Sequence, residues 1–108
     1  MIDWSHVDEL RRDMAEGFDE IVEVFLEEVD EGIAGLTPGS ADASLAAGLH
    51  FLKGAALNLG FADFAVLCSD GEEQALKGNG ANVDLAQVRA CYLASRQEFL
   101  AGLSRRAA

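Results

Sequence analysis

Apolar residues recur every three to four positions through most of the chain, the spacing of helices that each bury one stripe. Turn residues divide this pattern into five helical segments. A short first helix is expected from about Ser5 to Glu16, with Asp8 three residues after Ser5 as a weak capping box and a break near Gly17. The second spans about Phe18 to Leu36, with Phe18, Ile21, Val22, Phe25, Val29, Ile33 and Leu36 on one face. Thr37-Pro38-Gly39-Ser40 is the clearest loop. The third helix runs from about Ala41 to Leu59 and stops at Gly60, which suits a left-handed C-terminal turn. The fourth begins near Ala62, carries Phe64, Leu67, Cys68, Gly71 and Ala75 inward, and closes at the Gly78–Asn82 turn. The last spans about Val83 to Leu103, with Leu85, Val88, Tyr92, Phe99 and Leu103 at helical spacing. No alternation of period two is long enough for a strand.

Four long helices joined by short loops predict an all-α, antiparallel up-down-up-down four-helix bundle. The expected domain is a single one over residues 1–108, with the bundle at about 18–104 and the short helix at about 5–16 capping one end. Trp4 is placed to cover apolar ends of the bundle. One local rule is broken. An interior glycine costs about 1 kcal/mol relative to Ala in a helix, so Gly71 implies either a bend in the fourth helix or a close contact with a neighbour.

The third helix carries two stripes. Leu45, Leu49, Leu52, Ala56 and Leu59 form the expected core stripe. His50, Lys53, Gly54, Leu57 and Phe61 form another, displaced from the first by roughly 140° at the helical period. The second stripe therefore faces away from the core. It holds an imidazole, which is a nucleophile near neutral pH when unprotonated, and an ammonium one turn on that can offset the charge of a phosphoryl group. Gly54 removes a side chain that would block an approaching partner, and Leu57 and Phe61 extend the stripe as apolar docking surface. Taken singly, Lys53 reads as a solvated lysine, Gly54 as close helix packing, and Leu57 and Phe61 as residues covered by the first helix. His6 reads as a surface residue.

Charge and cysteine usage narrow the classes. Eight Lys+Arg against 19 Asp+Glu leave a net charge of −11, which opposes binding to nucleic-acid phosphates or anionic lipid. Much of the acid lies between Asp19 and Glu31, interleaved with apolar residues as on a solvated helix face. No apolar run has the length a bilayer requires, and the N-terminus lacks the basic start and apolar run of a secretory signal. A cytoplasmic, monomeric protein is the expectation. Cys68 and Cys91 sit in apolar helical patterns, without the ligand spacings of a zinc site. Inward Glu-x-x-His pairs, which a carboxylate-bridged metal bundle needs, are absent, so no metal site is expected.

The run His50-Phe-Leu-Lys53-Gly54-Ala-Ala-Leu-Asn-Leu-Gly60 resembles the HxxKG(S/A)(S/A)xxxG motif of the histidine-containing phosphotransfer (HPt) domains of two-component phosphorelays. The likeness extends from Gly48 to Glu72 and includes Cys68. It implies a covalent phosphocarrier that accepts a phosphoryl group from the aspartyl phosphate of one receiver domain and passes it to another. On this resemblance His50 is the phosphorylated residue, Lys53 stabilises the phosphate and Gly54 gives the receiver access. Gly60 shapes the helix end and joins Leu57 and Phe61 among the partner-facing candidates. Glu72 stands where some members place a side chain that bonds the other imidazole nitrogen. Gly71, where Leu is common, leaves Glu73 and Gln74 as substitutes if the helix bends. Ala55-Ala56 replaces the frequent Ser pair. The implied partners are response-regulator receivers and a hybrid histidine kinase, with Mg²⁺ on the receiver and no cofactor on this chain. No phosphate-cradling P-loop is present, so kinase activity of its own is not expected. The alternative is a non-catalytic adaptor that binds a receiver or kinase without carrying phosphate.

Overall fold

Helix α1, Trp4–Met14, starts one residue before the expected Ser5. Its cap is Asp3, whose side chain accepts from the His6 backbone N–H, so the Ser5–Asp8 capping box is not what begins it. The computed structural model describes residues 1–107. The chain leaves α1 at Ala15, which takes φ 47°, and a 3-10 turn over Ala15–Gly17 leads into α2, Phe18–Ala34. The break expected at Gly17 is therefore made two residues earlier. Three further helices follow: α3 at Asp42–Leu59, α4 at Ala62–Leu76 and α5 at Leu85–Ala107. A second 3-10 turn covers Gly80–Asn82.

Only Gly60 and Phe61 separate α3 from α4, which forces an antiparallel hairpin. Gly60 makes the reversal in the left-handed region at φ 76°, where a side chain is strained. The four long helices form an all-α bundle with α1 laid across one end, in an envelope of 46 × 20 × 20 Å. Among the described residues the extended backbone pairing is a single bridge between Ile2 and Phe61. Asp3 donates to the Gly60 carbonyl at 2.8 Å and Ala62 donates to Met1 at 3.2 Å, so the N-terminal residues clip the α3–α4 turn.

Leu45, Leu49, Leu52, Ala56 and Leu59 are all buried, as the periodicity of α3 required. Ala46 and Ala55 are buried too, because α3 is flanked by both α2 and α4. On α2 the inward line is Phe18, Val22, Leu26 and Val29, while Ile21, Phe25 and Ile33 are half-buried. At the capped end, Phe61 packs edge-on against Phe99 and tilted against Tyr92, at centroid distances of 5.3 and 6.2 Å. Trp4 stacks on Phe99 at 6.0 Å and lies against Gly102. That is the covering role its position suggested.

Helix α4 runs unbroken through Gly71. A Cβ at this position would come within 2.9 Å of Leu49 Cδ1. The glycine is there for close approach of α3 and α4, not for a bend.

Candidate functional site

The close approach at Gly71 brings the next residue to the His50 stripe of α3. Glu72 Oε2 lies 2.9 Å from His50 Nδ1, and its other oxygen, Oε1, lies 3.1 Å from Lys53 Nζ. The Glu72 side chain is only 16% exposed, whereas that of His50 is 67% exposed. One carboxylate thus grips the imidazole and the ammonium from the neighbouring helix. Glu73, the substitute had α4 bent, points elsewhere and pairs with Lys77 at 3.0 Å.

Charge determines how this contact is protonated. The hydrogen bond from Lys53 is the largest influence on the Glu72 carboxyl and, with that from His50, holds it below the usual carboxylate range against the opposing effect of desolvation. An ionised carboxylate only accepts hydrogen bonds. The proton of the contact therefore sits on Nδ1, and a neutral His50 ring keeps its lone pair on Nε2.

Gly54, one turn beyond His50, has open space where a side chain would stand, with nothing within 4 Å. Leu57 continues the stripe and is 58% exposed. Two other candidates do not reach this surface. Phe61 is fully buried, because the left-handed turn at Gly60 and the pairing with Ile2 swing its ring into the aromatic cluster. Gly60 is itself buried; a Cβ there would lie 2.9 Å from the Asp3 carbonyl oxygen and 3.4 Å from Val7. Both belong to the packing beneath α1, and as partner contacts they are corrected. Cys68 is buried, which pushes its thiol up to about 12, consistent with packing.

The family model of the Hpt domain matches residues 20–98. The chain belongs to the Hpt domain family. No curated protein and no solved structure matches it. Hpt domains serve histidine phosphotransfer in phosphorelays as phosphocarriers rather than kinases, and they interact there with receiver domains and kinases. The match to the Hpt domain takes in most of α2, all of α3 and α4, and α5 as far as Glu98, so His50, Lys53, Gly54 and Glu72 all lie inside it.

Beside His50 the structure shows residues that the stripe does not single out. Phe51 is 48% exposed and, with Phe25 and Glu28 of α2, lines a groove that reaches His50. Its place one residue after His50, off the core stripe, is the sequence signal. His6 is half-buried, and its Nε2 lies 2.8 Å from the Asn58 carbonyl, which ties α1 to the end of α3. Among the described residues there is no group of three metal-ligating side chains, and no helix is long and apolar enough to cross a membrane.

Proposed function

We propose that His50 is the phosphoryl acceptor of this Hpt domain and that Nε2 is the reacting atom. The observation that carries this reading is the imidazole held by Glu72 through Nδ1 while most of the side chain stands in solvent. A fixed ring in a known tautomer presents its remaining nitrogen in one direction, which lowers the orientational cost of reaction. The Nε2 lone pair forms a bond to phosphorus as the P–O bond to the receiver's aspartyl carboxylate breaks, and that electron pair leaves with the carboxylate. The Nδ1 proton remains shared with Glu72, whose charge offsets the positive ring that forms. The reverse displacement, by the aspartate of a second receiver, passes the group on.

Lys53 is one helical turn from His50 and supplies the cation beside the transferred phosphoryl group. In the free protein it is held by Glu72, so phosphorylation offers it a second anionic partner. Gly54 leaves room for the receiver, and Leu57 contributes apolar contact. Mg²⁺ belongs to the receiver's side of the reaction. A hybrid histidine kinase at the head of such a relay is part of the same reading.

The deciding experiment mixes the wild-type chain and His50→Ala with receiver domains of the source cell carrying labelled aspartyl phosphate, in the presence of Mg²⁺. Acid-labile, base-stable label on the wild type alone is the expected result. Equal labelling of both chains overturns the assignment. Tight binding of a receiver without any label establishes the adaptor role instead.

A further inference from the structure

The two flanks of His50 are not alike. At the helical period Lys53 and Phe51 fall on opposite sides of His50, about 60° and about 100° away. The Lys53 flank is closed by the ion pair to Glu72 of α4. The Phe51 flank opens into a groove of about 280 Å³ between α2 and α3, lined by Phe25, Glu28, His50, Phe51, Gly54 and Asn58. Phe25 and Phe51 give it apolar lining, and Val24, one turn before Glu28 on α2, is 41% exposed.

Its wall is acidic. Helix α2 carries seven acidic residues and no Lys or Arg. Among the described residues its one ion pair joins Asp30 to Arg96 of α5, at 3.7 Å. Among the described residues, Glu28, in the groove, and Glu27 and Glu31 beside it form no ion pair with a cationic side chain. An anion that approaches His50 along this groove meets unneutralised carboxylates, which repel it over the roughly 10 Å that salt leaves unscreened at 0.1 M. A protein surface carrying Lys or Arg around an apolar patch meets attraction and an apolar lining together.

We propose that the α2–α3 groove is a charge filter on phosphodonors, admitting a receiver whose docking face is basic and apolar and working against small anionic donors. The proposal rests on the reading of His50 as acceptor and adds the chemistry of the surface that delivers the phosphoryl group. The occupant is a protein domain, because exposed Leu57 and the open space over Gly54 lie on the same face of α3 as His50, beside the groove, an area that a small phosphate compound does not cover.

The test uses the full chain and two labelled donors, phosphorylated receivers of the source cell and phosphoramidate, whose N–P bond breaks with loss of ammonia as the bond to Nε2 forms. Raising NaCl from about 0.05 to about 0.3 M slows transfer from the productive receiver and speeds labelling by phosphoramidate. Glu28→Gln moves the two rates in opposite directions, by about two- to threefold each at low salt, down for the receiver and up for phosphoramidate. Phe51→Ala slows receiver transfer roughly tenfold, the effect of losing an aromatic contact at the centre of an interface. Glu9→Gln, an equal charge change on α1, leaves both rates as they are. Salt effects of one sign for both donors, or receiver transfer indifferent to Glu28→Gln and Phe51→Ala, overturn the filter. Absence of label on His50 from either donor overturns the phosphocarrier reading itself, so the two failures are told apart.

Discussion

The outer and inner sides of α3 each depend on a glycine, for opposite reasons. Outside, a side chain at Gly54 would meet nothing within 4 Å. Inside, a side chain at Gly71 of the facing helix would strike Leu49 at 2.9 Å. The first leaves open space on the surface beside His50. The second lets two helices of the same molecule close, and that closure puts Glu72 behind His50. On the proposed function, the outer side is expected to be tolerant in stability and sensitive in transfer, and the inner side sensitive in both.

The largest effect on stability is expected where a supposed outer residue proved to be inner. Phe61→Ala removes a fully buried ring from the Trp4–Phe99–Tyr92 cluster and is expected to cost about 3–5 kcal/mol in chemical denaturation. A loss below about 0.5 kcal/mol, the level of an ordinary surface change, would return Phe61 to the docking face. Gly71→Val is expected to cost about 1–3 kcal/mol through overpacking against Leu49. It also separates α4 from α3, so NMR of the His50 ring should show the Nδ1–H tautomer less populated. An unchanged tautomer in the folded variant would show that Glu72 does not depend on this approach.

Gly54→Ala is expected to stabilise the bundle by up to about 1 kcal/mol, the helix-propensity difference, since the added methyl group meets nothing. Gly54→Leu, at similar stability, should slow transfer from a receiver. Unaltered transfer with Leu there would place the approaching partner elsewhere. Leu57→Glu is expected to change stability by no more than about 0.5 kcal/mol while also slowing transfer. Normal rates with unchanged helicity would put Leu57 outside the docking surface.

The smallest effect concerns Glu72 and pH. Its carboxyl is held below the ordinary range in the folded chain, chiefly by Lys53. A group depressed in this way contributes stability that is present above the ordinary carboxylate range and is lost as pH falls through its lowered folded value. The stability difference between wild type and Glu72→Gln should accordingly be present at neutral pH and shrink on acidification. A difference that grows towards low pH would contradict the ion pair.

The helices and which α3 residues face the core could be read from the sequence because both depend on residues close together in the chain. His50, Lys53 and Gly54 lie within one and a half turns of each other, so their common face follows from helical geometry alone. The contact between Glu72 and His50 does not follow from the sequence, because Gly71 is compatible with a bend as well as with close packing. Phe61 misled for a different reason. The helical wheel that placed it beside Leu57 stops at Gly60, where φ turns positive and the wheel no longer applies. Phe51 stands off the core stripe beside His50, but the groove it lines exists only once Phe25 and Glu28 of α2 are packed next to it.

What the sequence by itself determined is angular: which residues of α3 face the core and which face away, since each step around a helix axis is set by the local backbone. What only the tertiary structure decided is distance between helices. The Leu49–Gly71 contact joins residues 22 positions apart, and it places Glu72 2.9 Å from His50 Nδ1. The clip of Ile2 onto Phe61 spans 59 positions, and it takes an apolar ring out of the exposed stripe. Such separations depend on how side chains from distant parts of the chain fill shared volume, and periodicity along one helix carries no information about that volume.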